Sequence, residues 1–180
     1  MLEKGCPATT IDEICQAAGF TKGGFFHYFE SKEQLAQEVL DRFFFAQQEA
    51  MAQGSYRKHR DPLRRAYGFV SHLINMSKKP EMLNGCLLGS FTHEMAATNP
   101  TMRNLCARRF AQLAEPFKRD LDAAKAQHAP YAAFDTTSLA EHLIAVLQGS
   151  MILAKAQQDS KVFERNLQHF KRYLKELFES

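Results

Sequence analysis

The segment 10–32 constrains the fold more than any other part of this 180-residue chain. Thr10 can cap a helix, and Glu13 stands three residues later, which is the spacing of a capping box. Gly19 suits the positive φ that often ends a helix, and we expect Phe20 to anchor the following turn in a small core. The apolar residues between cap and glycine recur at helical intervals and predict one buried face: Ile11, Ile14, Cys15 and Ala18.

A second short helix is predicted over residues 22–28, with Thr21 as its N-cap. Gly23 and Gly24 lie in its first turn, where each glycine is unfavourable by about 1 kcal/mol relative to alanine. Their presence therefore favours a position at which another backbone comes close. Without side chains there, the free N–H groups of the helix start can reach a phosphate. Two short helices at a sharp angle are the architecture of a helix-turn-helix DNA reader.

The aromatic run FFHYF at residues 25–29 cannot face one side of a helix, so part of it is core and the rest is exposed. Ser31 is the expected cap of a third helix, and Lys32 lies in its first turn. Because the helix dipole disfavours a cation at that position, we expect an anion from outside the chain to pair with Lys32.

The segment from Ala8 to about Leu35 resembles the DNA-binding signature of the tetracycline-repressor (TetR) family. That signature approximates Thr-Thr-x-x-x-Ile-x-x-x-Ala-Gly-x-Ser-Lys-Gly-Thr-Phe-Tyr-x-Tyr-Phe-x-Ser-Lys. The resemblance implies a set of DNA-facing residues: Thr10, Thr21, Lys22, Gly23, Gly24, Phe26, His27 and Lys32. It places Phe25 and Phe29 in the core and leaves Tyr28 in either environment. Gly24 and Phe26 depart from the usual hydroxyl-bearing residues, which removes two polar contacts to DNA.

The family normally has a full helix and a basic arm ahead of the glycine that Gly5 represents, whereas residues 1–4 alone precede it here. We therefore expect residues 1–35 to form a DNA-binding lobe that lacks most of its first helix. Residues 36–180 are then the effector-binding and dimerisation domain. The alternative is a helical effector-binding dimer whose DNA binding is impaired because that helix is missing.

Composition limits the function less than this segment does. The net charge is +3, and the first 60 residues hold seven Lys/Arg against eight Asp/Glu, so DNA binding depends on placed cations. The basic cluster at residues 57–60, 64 and 65 is more consistent with a solvated helix end. Four cysteines without paired spacing indicate neither disulfides nor a metal site. With no signal peptide and no apolar run near 20 residues, we expect a cytoplasmic protein without membrane contact or cofactor.

No strand-like alternation appears, so we predict an all-α protein. An N-terminal helix-turn-helix lobe is joined by a long helix, residues 31–53, to a larger helical ligand-binding and dimerisation lobe. Further helices are predicted over residues 61–77, 86–97, 100–128, 135–158 and from 160 onward, with a loop at 78–85 and a kink at Pro116.

The last two predicted helices carry apolar residues in alternating steps of four and three, which suits near-parallel packing. One such pair from each of two subunits would form a four-helix interface. The predicted interface residues are Leu143, Val146, Ser150, Leu153, Phe163, Leu167, Phe170 and Leu174. The alternative is a monomer that buries them internally. The resemblance to dimers on paired operator half-sites favours a homodimer.

The resemblance also implies an effector pocket between residues 60 and 128, although ordinary core packing is the alternative for each residue. Its candidate lining is Phe69, His72, Leu73, Met76, Phe91, Met95, Phe110, Leu113 and Phe117. In the run 43–45, at least one phenylalanine ring should face the pocket or solvent. Cys86 follows Gly85 at a predicted helix start, which favours a thiolate. We consider a redox-sensing Cys86, with a small buried residue as the alternative.

These features predict a dimeric repressor that a small molecule releases from double-stranded operator DNA. The two helix tips enter successive major grooves, and effector binding shifts the long helix so that the half-site spacing no longer fits. An enzyme is not expected, because we find no catalytic constellation, phosphate-cradling glycine loop or carboxylate pair in the sequence.

Overall fold

The structure, a computed structural model, describes residues 4–179, with the side chains of Pro80 and Glu81 excepted. Within this range the chain forms α-helices and no strand, which confirms the all-α prediction. The helices are α1 Ile11–Ala18, α2 Lys22–Tyr28, α3 Lys32–Ala52, α4 Pro62–Met76, α5 Leu87–Met95, α6 Pro100–His128, α7 Thr136–Gln157 and α8 Lys161–Glu179. Two 3-10 helices, Ser55–Lys58 and Pro80–Asn84, lie between them, the second within the predicted loop. The helical turn predicted at the start of the chain falls on residues 1–3, outside the described residues, and on Lys4.

The helix caps near the N-terminus follow the predicted pattern. The Thr10 hydroxyl accepts a hydrogen bond from the Glu13 backbone, and the Glu13 carboxylate accepts one from the Thr10 backbone. Gly19 ends α1 with a φ of 68°, a conformation that a side chain disfavours. The prediction for Phe20 is wrong: its ring is 57 % exposed, and its backbone N–H closes the α1 cap on Cys15. Phe25, 5 % exposed, is instead the buried aromatic residue of this lobe.

The later helices begin close to their predicted residues. Asp61, Asn99 and Asp135 accept hydrogen bonds from the first turns of α4, α6 and α7. At the start of α8 the Asp159 carboxylate accepts a hydrogen bond from the Lys161 backbone nitrogen at 2.9 Å. The helix α6 continues through Pro116, so that proline does not end it.

Two apolar clusters organise the helices, and α6 contributes to both of them. The first cluster joins α4, α7 and α8 to the second half of α6 and includes Val70, Phe117, Leu121, Leu143, Phe163, Leu167, Phe170 and Leu174. The second joins the start of the chain, α3 and α5 to the first half of α6 and includes Cys6, Ala36, Leu40, Leu88, Phe91, Met95, Met102 and Cys106. The long helix α3 thus connects the N-terminal lobe to the packing of the larger lobe.

The structure corrects the dimer prediction for most of its residues. Leu143, Phe163, Leu167, Phe170 and Leu174 are each at most 3 % exposed within one subunit, and all lie in the first cluster. The steps of four and three mark the seam by which α7 and α8 pack within their own subunit. These five residues are core residues, because a seam pattern shows that a face is buried but not which helix covers it.

The remaining predicted interface residues lie at or near the opposite face of α7. Val146 is half-buried, Ser150 is 2 % exposed, and Leu153 is 47 % exposed beside the exposed Ile152. By length and composition α7 is apolar enough to span a membrane, contrary to the expectation from the sequence. One apolar face of α7 packs against α6 and α8 and is part of the core, whereas its other face is open to solvent.

Candidate functional site

The first candidate site is the tip of α2, where most of the predicted DNA-facing residues are exposed. The side chain of Lys22 is 58 % exposed, Phe26 is 50 % exposed, and His27 also faces solvent. The Lys22 ammonium lies 3.0 Å from a carboxylate oxygen of Asp12, which is itself 73 % exposed. Because an exposed ion pair is worth about 1 kcal/mol or less, Lys22 can exchange Asp12 for another anion readily.

The two glycines of this tip differ in what surrounds them. A Cβ at Gly24 would lie 3.2 Å from the Phe20 ring and 3.3 Å from the Thr21 hydroxyl, so the chain itself favours a small residue there. At Gly23 the nearest atom would be that same hydroxyl at 4.0 Å. Packing within the subunit therefore does not explain Gly23. Its missing side chain leaves a flat helix start open to another molecule.

Thr10 and Thr21, both predicted to face DNA, are exposed and act as helix caps. The Thr21 hydroxyl accepts from the Gly24 backbone at 3.0 Å, and the Thr10 hydroxyl pairs with Glu13. The Lys4 ammonium, followed by the backbone and hydroxyl groups of Thr10, lowers the pKa of Glu13 to about 2. The carboxylate that holds the start of α1 is therefore ionised at neutral pH.

Lys32 does not present a free cation to DNA. Its ammonium donates to the carbonyl oxygens of Cys6, Pro7 and Thr9 at 2.9, 3.1 and 3.0 Å. An ammonium has three donors, and all three are occupied here. The structure thus contradicts the predicted phosphate contact. The groups that pair with the Lys32 ammonium are three carbonyl oxygens of the chain itself.

Glu94, near the end of α5, is a second residue that holds the start of the chain and that the sequence analysis missed. Its carboxylate accepts from the Cys6 backbone at 2.7 Å. Gly5 has a φ of +86°, and a Cβ there would come within 3.0 Å of the same carboxylate. Burial raises the pKa of the Cys6 thiol, although Lys32 opposes that effect. Lys32 on α3 and Glu94 on α5 therefore hold the start of the chain, residues 6–9, in place between these two helices.

The second candidate site is a cavity of about 330 Å³ in the larger lobe, bounded by α3, α4, α6, α7 and the segment before α5. Its lining comprises Phe43, Gln47, Met51, Phe69, Leu73, Met76, Met82, Asn84, Gly85, Cys86, Leu113, Ala114, Phe117, Ala140, Leu143, Ile144, Leu147, Gln148, Met151 and Phe163. Five of the nine predicted pocket residues are among them: Phe69, Leu73, Met76, Leu113 and Phe117.

The other four predicted pocket residues lie elsewhere, and for them the prediction is wrong. Phe91 and Met95 belong to the second apolar cluster, and Phe110 packs against it. Their faces of α5 and α6 are directed toward α3 instead of the cavity. His72 packs against Tyr56 with ring centres 5.5 Å apart and the rings tilted, and burial lowers the pKa of its imidazole.

The long helix contributes more to the cavity than the sequence indicated. Phe43, Gln47 and Met51 lie on one face of α3 and line the cavity. Phe44 is 3 % exposed and Phe45 is 57 % exposed, so the three successive rings divide between cavity, core and solvent, as predicted. The spacing of the residues was enough to predict this division. It was not enough to predict which helix faces Phe43.

An ion pair fixes α3 from its other side. The Arg109 guanidinium on α6 donates to one Asp41 carboxylate oxygen from Nε at 3.0 Å and from Nη2 at 2.6 Å. Its carbon centre lies 4.5 Å from the Phe44 ring and 5.1 Å from the Phe45 ring. The cavity therefore lies against one face of α3, and the Asp41–Arg109 ion pair holds the opposite face.

Comparison with known families agrees with this arrangement. Residues 62–170 match the family described as tetracyclin repressor-like, C-terminal domain, and residues 1–39 match bacterial regulatory proteins of the tetR family. The chain belongs to the TetR family. Its all-helical fold, with a helix-turn-helix at the N-terminus, is therefore that of a DNA-binding transcriptional regulator.

Individual TetR relatives align over most of their length. The chain is 28 % identical to the HTH-type transcriptional repressor DhaR of Mycobacterium sp. (strain GP1), covering 99 % of this chain and 85 % of DhaR. A crystal structure of a TetR regulator from Chloroflexus aurantiacus is 26 % identical, with a TM-score of 0.83 over 94 % of this chain and 85 % of that chain. The regulator CifR, solved as a cysteine mutant complexed with a 26-bp operator DNA, shares the fold at 15 % identity, with a TM-score of 0.77 over 94 % and 88 % of the two chains.

The TetR match at the N-terminus ends at residue 39, within α3. The division that the sequence analysis placed between residues 35 and 36 stays a prediction. The second apolar cluster crosses that position, since Cys6 and Ala36 share it with α5 and α6.

Proposed function

We propose that this protein is a dimeric, cytoplasmic transcriptional repressor that a small molecule releases from its operator, and that it is not an enzyme. The observation that carries the DNA-binding part is the open helix start at Gly23, together with the exposed Lys22 beside it. The N–H groups of a helix start and a nearby ammonium are the groups that bind phosphate. CifR, which shares this fold, is a transcriptional regulator solved with operator DNA, and we propose that the present chain binds DNA as well.

The residues proposed to face DNA are those that stay exposed at the α1–α2 tip: Thr10, Thr21, Lys22, Gly23, Phe26 and His27. Gly24 joins them as a half-buried position that keeps the tip narrow. Lys32 is excluded, because its donors are occupied. The exposed Phe26 and His27 suit contacts with sugars and base edges beside the phosphates.

A substitution at Gly23 tests this surface. Gly23→Gln adds a side chain where the subunit has open space, so the variant should fold like the wild type and lose operator binding by more than tenfold. Ala123→Gln, at an exposed site of α6, is the matched control. Binding is measured by fluorescence anisotropy on duplexes selected from a random pool. Wild-type affinity in Gly23→Gln, or no enrichment of any duplex by the wild type, would contradict the proposal.

Ligand response is proposed from the position of the cavity. The helix α3 directly follows the DNA-binding tip and contributes Phe43, Gln47 and Met51 to the cavity. A ligand that contacts these residues can therefore change the orientation of α3. A ligand shifts such an equilibrium only through different contacts in the two states. We propose that the contacts a ligand makes with α3, the helix shared by both lobes, differ between the DNA-bound and the released state.

The proposed dimer uses the open face of α7 and α8. A surface groove there is lined by Ala145, Gly149, Leu153, His169 and Tyr173, among others, and a Cβ at Gly149 would meet nothing within 4 Å. The Ser150 hydroxyl also lines it and is buried without a hydrogen-bond partner among the described residues. The groove and the open face of α7 are the surface that a second subunit would cover.

The dimer proposal is tested by Gly149→Gln. The open space at Gly149 accommodates the side chain within one subunit, whereas an apposed helix would not. We expect a monomer by sedimentation equilibrium at concentrations where the wild type is a dimer, with unchanged helical content. A dimeric variant, or a monomeric wild type, would refute this interface.

A redox role for Cys86 remains a subsidiary proposal. Cys86 is half-buried in the cavity wall, whereas Cys6, Cys15 and Cys106 are buried. Alkylation or oxidation at Cys86 would then occupy the effector cavity. Treatment with N-ethylmaleimide should release DNA from the wild type but not from Cys86→Ser, and equal release from both would remove the proposal.

A further inference from the structure

The cavity wall is uncharged as far as the structure describes its side chains. Among the described lining residues, none is Asp, Glu, Lys, Arg or His. An ion that entered it would lose its hydration without gaining an opposite charge, which is strongly unfavourable in an apolar site. The wall therefore selects against anions and cations alike.

Besides the Cys86 thiol, the polar side chains of the wall are the amides of Gln47, Asn84 and Gln148. Asn84 is exposed, whereas Gln47 from α3 and Gln148 from α7 are half-buried, and neither glutamine makes a hydrogen bond to the described part of the chain. Polar side chains in apolar surroundings are usually paired. Two unpaired amides that line one cavity are groups that a bound molecule can satisfy.

Gly89 on α5 leaves space for the Gln148 amide. A Cβ on Gly89 would lie 2.3 Å from the Gln148 amide oxygen, a distance that real atoms do not reach. Gly89 thus makes the room in which the amide oxygen lies against α5. We take the amide nitrogen, which is bonded to the same carbon, as the group that meets a ligand in the cavity. That nitrogen is a donor, so its partner must be an acceptor.

We propose that the effector is an uncharged, mainly apolar molecule whose hydrogen-bond acceptor, such as a ketone or ester carbonyl, binds the Gln148 amide. This inference rests on the ligand response proposed above. A volume of about 330 Å³ suits a molecule of about two aromatic rings. The methionines Met51, Met76, Met82 and Met151 of the wall adapt to different apolar shapes, so the amide contact supplies the selectivity.

A series of naphthalenes with one variable group tests the proposal. The fluorescent probe 1-N-phenylnaphthylamine is bound to the full chain and displaced by 2-acetonaphthone, 2-ethylnaphthalene, 2-naphthoate or 2-naphthylmethylamine. We expect 2-acetonaphthone to compete about fivefold better than 2-ethylnaphthalene, the value of about one hydrogen bond. The anion and the cation should compete at least tenfold more weakly than the ketone. Equal competition by 2-naphthoate or by the amine would overturn the proposal.

Variants locate the effect on the amide. Gln148→Leu should abolish the preference for the ketone over the hydrocarbon, and Gly89→Ala should reduce it by displacing the amide. Gln157→Leu, at an exposed site of the same helix, should keep it. A ketone preference that survives Gln148→Leu would refute the assignment. Operator binding by the wild type is measured in parallel without any naphthalene. If the wild type does not bind operator DNA, the result counts against the repressor proposal. If it binds DNA but shows no preference for the ketone, the result counts against this inference alone.

Discussion

Lys32→Met tests whether Lys32 is a clamp for the start of the chain or a contact for DNA. Methionine keeps the unbranched side chain but removes the ammonium that donates to Cys6, Pro7 and Thr9. Hydrogen bonds from a charged donor are worth about 1.5–3 kcal/mol when buried. Because this site is only half-buried, we take about 1 kcal/mol for each. The expected loss is then about 2–3 kcal/mol, confined to the segment that the ammonium holds.

Cys6 reports on this loss, because its side chain is 1 % exposed and its backbone is part of the clamp. A local opening made easier by about 2–3 kcal/mol raises the rate of Cys6 alkylation by about 30- to 150-fold, when opening is fast relative to reaction. Peptide-resolved mass spectrometry after iodoacetamide measures that rate. The buried Cys106, in a different part of the second cluster, is an internal control.

The salt dependence of DNA binding separates the two roles. Replacement of a lysine that contacts a phosphate lowers the slope of log K against log salt by about 0.9 for each contact. We expect this change for Lys22→Met and not for Lys32→Met. The reasoning would be refuted if Lys32→Met lowered the slope as much as Lys22→Met while Cys6 alkylation stayed at the wild-type rate.

Two further predictions concern the larger lobe. Asp120→Ala removes the carboxylate that lies 2.7 Å from the Arg65 guanidinium, in a pair whose side chains are 23 % (Arg65) and 12 % (Asp120) exposed. We expect the free energy of unfolding in urea to fall by about 2–3 kcal/mol and to be partly restored in the double variant with Arg65→Ala. An unchanged unfolding midpoint would contradict this prediction. The Lys118 ammonium, followed by the Thr136 hydroxyl, lowers the pKa of Asp122. A lowered folded-state pKa stabilises the protein above the unfolded value of about 3.9 and ceases to do so as the pH falls through the folded value. Asp122→Asn should therefore reduce the melting temperature more at pH 6 than at pH 2.5, and an equal reduction at both would disprove the pairing.

Residues that act on their near neighbours were predictable from the sequence. The capping box of Thr10 and Glu13, the left-handed Gly19 and the start of α2 after Thr21 each involve groups within about five residues of one another. Such interactions form as soon as the local backbone becomes helical. The same locality explains why the first three helices lie where the sequence places them.

Interactions across the fold were not predictable in the same way. The dipole argument at Lys32 predicted an anion from outside the chain and was wrong, because carbonyls from residues 6–9 accept from its ammonium instead. Likewise, His72 and Phe91 have the character of pocket residues. Only the packing of α3 against α5 and α6 shows that Phe91 faces away from the cavity, and only the contact with Tyr56 shows where His72 lies.

The sequence by itself determined the helical class, the DNA-binding motif and most helix ends, because these depend on periodicity and on contacts between near neighbours. The tertiary structure decided which apolar seam is internal, which face of α7 stays open, and which residues enclose the cavity. The physical reason is that burial of an apolar face lowers the free energy by similar amounts whichever helix covers it. The choice of partner is made only when all the helices pack together.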